Sequence, residues 1–286
     1  MHFTKMEGCG NDYVYVDAWQ ESLPADLPAL ARKLSHRNFG IGGDGMIVLA
    51  PPTVADAQAR MLMYNADGSM SEMCGNGVRC IAKLAHDHGH VTSPTIRVET
   101  GAGVLPIDLL FADGAVVGAS VSMGLPRLQP ALVPVVHPGS GPRLELHLEA
   151  AGHTLRLLAV GMGNPHAVCF VDDPDTFPVT TVGPVLEHHA AFPRRSNIEF
   201  VARLADEASL PVLRQRTWER GSGETLACGT GACATVVAAI LDGRIPGREA
   251  IVRLSGGDLR IAWPADDAPV RMTGPATTVF TGEIAP

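Results

Sequence analysis

With 286 residues, the chain can form one large domain or two of ordinary size. Its 46% hydrophobic content supplies material for buried cores, and a net charge of -8 with no basic, aromatic-interleaved patch speaks against a nucleic-acid partner. The N-terminus, Met1-His2-Phe3-Thr4-Lys5-Met6-Glu7, lacks the apolar core of a signal peptide, and no apolar run reaches the roughly 18 residues of a membrane-spanning helix. The expectation is a cytoplasmic enzyme or binding protein with no membrane partner. The cysteines, Cys9, Cys74, Cys80, Cys169, Cys228 and Cys233, are then expected to be reduced.

In chain order, Tyr13-Val14-Tyr15-Val16 reads as a strand and Leu27 to Leu34 as a short helix. The glycine-rich loop Phe39 to Gly45 feeds a strand, Met46 to Leu49, and Arg60 to Tyr64 is another. Val78, Ile81, Leu84 and Ala85 recur at helical spacing between Asn76 and His88, and Gly89 fits a C-terminal cap. Short strands follow, broken at Gly101-Ala102-Gly103 and Ala112-Asp113-Gly114. Gln129 to Gly141, rich in Pro and Val, reads as a link. Beyond it the plan repeats, with an all-apolar helix from Ala232 to Leu241, then strands around Gly256-Gly257 and Asp266-Asp267. The tail, Thr277 to Ile284, is left over and reads as a strand completing one sheet.

The repeat is visible residue by residue. Arg60 to Gly89 lies without a gap over Arg214 to Gly243, so that Cys74-Gly75-Asn76-Gly77 falls on Cys228-Gly229-Thr230-Gly231. Upstream, Gly8-Cys9-Gly10-Asn11 pairs with Gly161-Met162-Gly163-Asn164. The period is far too long for a solenoid and marks a duplicated domain. The expected fold is α+β, with two pseudo-symmetric domains, each a mostly antiparallel, barrel-like sheet around a central helix. The boundaries read as 1–126, completed by 276–286, and 127–275.

Each copy of Cys-Gly-x-Gly opens a helix. A cysteine there feels the positive potential of unpaired amides, which favours thiolate, and the glycines let backbone amides form a small anion nest. Two such termini facing one another would hold one carboxylate and set one sulfur on each side of its α-carbon. That arrangement inverts a carbon centre: one thiolate removes the proton and one thiol delivers another. The two sulfurs would titrate as a pair.

A pyridoxal route would need a Schiff-base lysine, and Lys5, Lys33 and Lys83 all lack a phosphate-binding context. Dinucleotide and Walker A motifs are absent as well, so no organic cofactor is expected. His86-Asp87-His88-Gly89-His90 reads as a solvated helix end, so no metal is expected either. Asn11, Asn65, Asn164 and Asn197 sit in or beside turns. Glu219-Arg220 suits the ammonium and carboxylate of a substrate, and His166 has the chemistry to exchange a proton near a sulfur.

Several runs together resemble the diaminopimelate epimerase family: Gly8-Cys9-Gly10-Asn11-Asp12-Tyr13, Tyr64-Asn65-Ala66-Asp67-Gly68-Ser69 and Glu72-Met73-Cys74-Gly75-Asn76-Gly77-Val78-Arg79-Cys80 in the first half. The second half adds Gly163-Asn164-Pro165-His166, Ser196-Asn197-Ile198-Glu199, Glu219 to Thr225 and Ala227 to Gly231. They occur in family order and cover nearly the whole chain. The resemblance implies a cofactor-independent homodimer converting LL- to meso-diaminopimelate in lysine biosynthesis, with the last strand returning to the first domain. It implies Cys74 as proton donor and Cys228 as acceptor, with His166 and Glu219 tuning the thiols. Gly75, Asn76, Gly229 and Thr230 would hold the reacting carboxylate, and Asn11, Asn65, Asn164, Asn197, Glu219 and Arg220 the rest of the substrate. Some relatives place Gln at Gly45 and use it on substrate, a contact Gly45 cannot make. The alternatives are another two-cysteine racemase, for proline, hydroxyproline or histidine, and a non-catalytic amino-acid-binding protein.

Overall fold

A computed structural model describes residues 1–71 and 73–285; Glu72, inside one motif run, and Pro286, at the end of the tail, lie outside the described residues. The chain divides into two compact units, Met1–Ser122 with Thr273–Pro286, and Met123–Met272.

The first unit begins with β1 (His2–Gly8), β2 (Asn11–Asp17), α1 (Leu27–Ser35), β3 (Gly45–Ala50), β4 (Ala59–Asn65) and β5 (Met70–Ser71). It continues through α2 (Gly75–Asp87), β6 (Thr95–Thr100), β7 (Gly103–Ala112) and β8 (Ala115–Ser122). β1 and β2 are antiparallel, β2 and β3 parallel, and β3 and β4 antiparallel. β4 then takes β5 antiparallel on a short edge and β6 parallel, and β6, β7 and β8 form a meander. The strands wrap α2, which packs against β1, β2, β3, β4, β6, β7 and β8. Val78, Cys80, Ile81, Ala82, Leu84 and Ala85 are buried there. Full burial of one such aliphatic side chain contributes about 1.5–3 kcal/mol, so the helix anchors the unit. α1 covers Val14, Val16, Met46 and Val48 with Leu30, Ala31 and Leu34.

The second unit contains β9 (Leu144–Ala150), β10 (His153–Gly161), β11 (Pro165–Phe170), α3 (Val179–Glu187), β12 (Asn197–Glu207), β13 (Leu210–Glu219) and β14 (Gly223–Thr225). α4 (Gly229–Leu241), β15 (Glu249–Leu254) and β16 (Gly257–Ala262) follow. β17 (Arg271–Pro275) leads out of it, and β18 (Thr277–Glu283) pairs antiparallel with β1. The pairing scheme of the first unit recurs: β10–β11 antiparallel, β11–β12 parallel, β12–β13 antiparallel, β13–β14 antiparallel, β13–β15 parallel and β15–β16 antiparallel. β9 flanks β10 as β18 flanks β1. Even register repeats, for Tyr13 faces Gly45 where His166 faces Asn197.

Two details differ from the sequence reading. α4 starts at Gly229 rather than Ala232, because Cys228 serves as its N-cap and Gly229-Thr230-Gly231 form its first turn. α3 carries Pro184 inside it and follows Pro178, which hid its periodicity. The Pro- and Val-rich stretch is part of the second unit, where Val133 and Val135 join the core beneath α3. Among the described residues, no helix is long and apolar enough to cross a membrane.

Candidate active site

In the first unit, Cys74 is the N-cap of α2, in extended backbone (φ -136°, ψ 123°). Its Sγ accepts from the Gly77 N–H at 3.5 Å and lies 3.4 Å from Asn11 Oδ1. A side chain at Gly77 would meet Ile47 Cδ1 at 2.6 Å, so glycine lets the turn settle onto β3 without moving that side chain. Asn11 is itself held, its Nδ2 donating to Asp44 Oδ2 at 2.7 Å. Asn76 Nδ2 reaches toward the same Asn11 oxygen at 3.5 Å.

Beneath this turn lies Arg79, which is fully buried. It donates to Gly75 O at 3.0 Å, Asn76 Oδ1 at 3.0 Å and Pro275 O at 3.1 Å. A guanidinium with its planar fork can hold three acceptors in fixed directions. Sequence reasoning missed this role; the signal was its place four residues after Gly75, on the same helix face. The first unit thus brings together Cys74, Gly75, Asn76 and Asn11. Asn65 stays in its own turn, donating to Ser69 Oγ at 2.9 Å.

In the second unit, Cys228 caps α4 in the same way (φ -119°, ψ 106°), with Sγ accepting from the Gly231 N–H at 3.3 Å and lying 3.5 Å from Thr230 Oγ1. A Cβ at Gly231 would stand 2.7 Å from Glu199 Oε1 and 3.2 Å from Cys228 Sγ, so the second glycine of this motif is again set by packing. Asn164 donates to Thr230 Oγ1 at 3.3 Å and meets His166 Nε2 through Oδ1 at 2.8 Å. The other ring nitrogen, Nδ1, lies 2.8 Å from Glu199 Oε1. Glu199 was also missed. It sits two residues after Asn197 on β12, and the two-residue strand period puts both on one face.

Glu219 ends β13 and is partly buried; Thr225 Oγ1 donates to its Oε1 at 2.5 Å. Its turn is fixed from α3. Glu187 accepts from Trp218 Nε1 at 2.8 Å and from the Gly221 N–H at 3.0 Å. Asn197 spans the same region, donating to Pro165 O at 2.8 Å and accepting from the Arg220 N–H at 2.9 Å. The Arg220 guanidinium is elsewhere, on Arg194 O at 3.1 Å. This unit therefore gathers Cys228, Gly229, Thr230, Asn164, His166 and Glu219, with Glu199 added and the Arg220 side chain apart.

The electrostatics differ from the sequence expectation of an acidified thiol. Burial pushes the Cys228 thiol well above its ordinary value, and the neighbouring Glu219 and Glu199 carboxylates push it further. The bonds from Thr230 and Gly231 act the other way and do not compensate. Burial likewise raises Glu219, against the pull of Thr225 and His166. Elsewhere burial leaves Cys80 and Cys169 as poor nucleophiles, raised to about 11 and about 12. His166, Glu199 and Cys228 have donor atoms within 4.8 Å of one another, a spacing a metal could use, but both ring nitrogens of His166 already face hydrogen-bond partners.

Comparison with known proteins places these motifs in context. Residues 3–128 and 158–279 match the family model described as Diaminopimelate epimerase. The chain is 50% identical over 283 residues to the diaminopimelate epimerase of Moorella thermoacetica, covering 99% of each chain. It is 50% identical over 285 residues to that of Leptospira biflexa, again covering 99% of each. Among solved structures, a hydroxyproline epimerase from Agrobacterium vitis shares the fold with a TM-score of 0.63 at 16% identity, over 99% of this chain and 90% of that one.

Proposed function

The chain belongs to the diaminopimelate epimerase family, and from that premise we propose that it interconverts LL- and meso-2,6-diaminopimelate by two-base proton transfer, in lysine biosynthesis. It is an isomerase. The observation that carries the mechanism is the matched pair of caps: each unit ends a Cys-Gly-x-Gly turn on the N-terminus of its central helix, with the sulfur at the cap.

In this reading Cys228 as thiolate takes the α-proton and Cys74 as thiol delivers one to the opposite face. Reversal exchanges the roles. Burial and two carboxylates make the Cys228 thiolate a strong base, which suits a weakly acidic C–H. The first-turn amides of Gly75 and Asn76, and of Gly229 and Thr230, receive the carboxylate on which charge develops. Losing one such preorganised donor typically costs about 3–4 kcal/mol. Asn11, Asn65, Asn164, Asn197, Glu219 and Arg220 hold the remainder of the substrate, while His166 and Glu219 set the ionisation of the thiols. Both base and acid come from the chain, so the reaction calls for no cofactor and no metal. Cytoplasmic location and a homodimer belong to the same proposal. Exposed Val279 and Phe280 on β18 offer an apolar strip for a second copy.

Solvent deuterium incorporation at the α-carbon of LL-diaminopimelate tests the proposal. Wild type exchanges and epimerises; Cys74→Ser and Cys228→Ser each lose epimerisation. A Cys228→Ser enzyme that epimerised at the wild-type rate would overturn the two-base scheme. Ligand binding without any exchange would point instead to a non-catalytic binding protein.

A further inference from the structure

The sequence His86-Asp87-His88-Gly89-His90, at the end of α2, has no part in the epimerase reading. In three dimensions it divides. Asp87 pairs with Lys83 at 2.7 Å, and the His86 ring meets the Phe111 ring edge-on at 5.3 Å. His88 and His90 turn instead to Asp17, the last residue of β2. His88 Nδ1 and His90 Nε2 each lie 2.7 Å from the same oxygen, Asp17 Oδ2.

The carboxylate is fixed from behind. Its Oδ1 accepts from the Trp19 N–H at 2.9 Å, and the Trp19 ring stacks on His90 at 4.4 Å with an interplanar angle of 16°. Asp17 is buried, while His90 and His88 are partly exposed, at 14% and 28% of their side-chain surface. A cavity of about 320 Å³ adjoins them, lined by Asp17 and His88 together with His2, Glu21 and Glu283.

We propose that Asp17, His88 and His90 form a binding site for one divalent first-row transition-metal ion, zinc above all. Two imidazoles and one carboxylate suit zinc, cobalt or nickel, whereas calcium and magnesium take oxygen ligands. The three donor atoms lie within 4.8 Å of one another. Zinc holds such atoms at about 2.0–2.2 Å, so tetrahedral ligands stand roughly 3.3–3.5 Å apart. Each 2.7 Å contact must therefore open by somewhat more than half an ångström, a small rotation of side chains on a helix end. The rings now donate to Oδ2 through the nitrogens an ion would need; on binding, that proton sits on the other ring nitrogen. Water from the cavity supplies the fourth ligand. The ion would clip β2 to the end of α2.

The test uses untagged, chelator-treated protein titrated with zinc chloride by calorimetry, and with cobalt(II) by absorption spectroscopy. The expected result is one zinc per chain, a raised melting temperature, and cobalt d–d bands without a thiolate charge-transfer band. His88→Gln and His90→Gln should each weaken zinc binding by more than the roughly 10- to 100-fold that loss of an outer-shell partner costs. Both rings reach solvent, so neither change leaves a large void. The Cys74→Ser/Cys228→Ser double variant should bind zinc as wild type does. The site would be disproved by absence of zinc binding at micromolar concentration, by equal binding in the His88→Gln/His90→Gln protein, or by loss of binding in the double cysteine variant.

Discussion

His166 Nδ1 lies 2.8 Å from Glu199 Oε1, with both side chains fully buried. The opposite nitrogen, Nε2, faces Asn164 Oδ1, and Asn164 is oriented by its Nδ2 bond to Thr230. The ring is thus held at both nitrogens, by Asn164 on one side and Glu199 on the other. The other oxygen, Glu199 Oε2, is buried and meets no hydrogen-bond partner among the described residues. Glu199 thus positions the ring beside Cys228.

Changing Glu199 to Ala should remove that support, and Glu199→Gln should keep it through an amide donor to Nδ1. A hydrogen bond of this type is worth about 1.5–3 kcal/mol, so Glu199→Ala should lose roughly 10- to 100-fold in kcat, and Glu199→Gln much less. Both changes remove a carboxylate that raises the Cys228 thiol. Peptide-resolved alkylation rates across pH should therefore show Cys228 ionising at lower pH in either variant. An unshifted alkylation profile would show that Glu199 does not act on the thiol.

Glu219 gives a pH signature with a definite sign. Burial raises it above the ordinary carboxylate value, so folding favours its protonated form. The stability that protonation provides is complete below the unfolded value near 4.5 and is lost as pH rises through the higher folded value. Above that value the partly buried charge weighs against the fold. Glu219→Gln should melt at a higher temperature than wild type at pH 8, should lose that advantage near pH 4, and should epimerise poorly at both. Melting curves at the two pH values check this.

Arg79 should matter to the fold as well as the site. Replacing it with Met leaves Gly75 O, Asn76 Oδ1 and Pro275 O without the guanidinium. A buried group left unsatisfied costs about 1–3 kcal/mol, so the variant should lose at least about 2 kcal/mol in urea denaturation. A loss under about 0.5 kcal/mol would mean that the acceptors find water.

Gly45 should resist enlargement. A Cβ there would stand 2.1 Å from Tyr64 O and 2.9 Å from Tyr13 Cε1, inside the strand pairing itself. Gly45→Ala should then cost about 1–3 kcal/mol through forced separation of β3 from β4, read as a lower melting temperature.

Local rules wrote much of this molecule into its sequence. The 3.6-residue spacing of Val78, Ile81, Leu84 and Ala85 announces the central helix, and the doubled Cys-Gly-x-Gly announces both the duplication and the two capped termini. Close neighbours in the chain, such as Cys74, Gly75 and Asn76, come together because one helical turn holds them. Such signals fixed the α+β class and the family, since each spans only a few residues. What the sequence could not supply were the partners brought in by strand register and by helix packing in the sheet. Arg79 meets Pro275 across 196 residues, His166 meets Glu199 across 33, and Asp17 meets His88 across 71. No spacing rule links those pairs. They meet because parallel β11–β12 sets His166 beside Asn197 and Glu199, and because α2 packs within the sheet that β1, β2 and the returning C-terminal strands complete. The rise of the Cys228 thiol has the same origin. A helix N-terminus is legible in four residues, but the burial and the two carboxylates that outweigh it exist only once the sheet has closed around the helix.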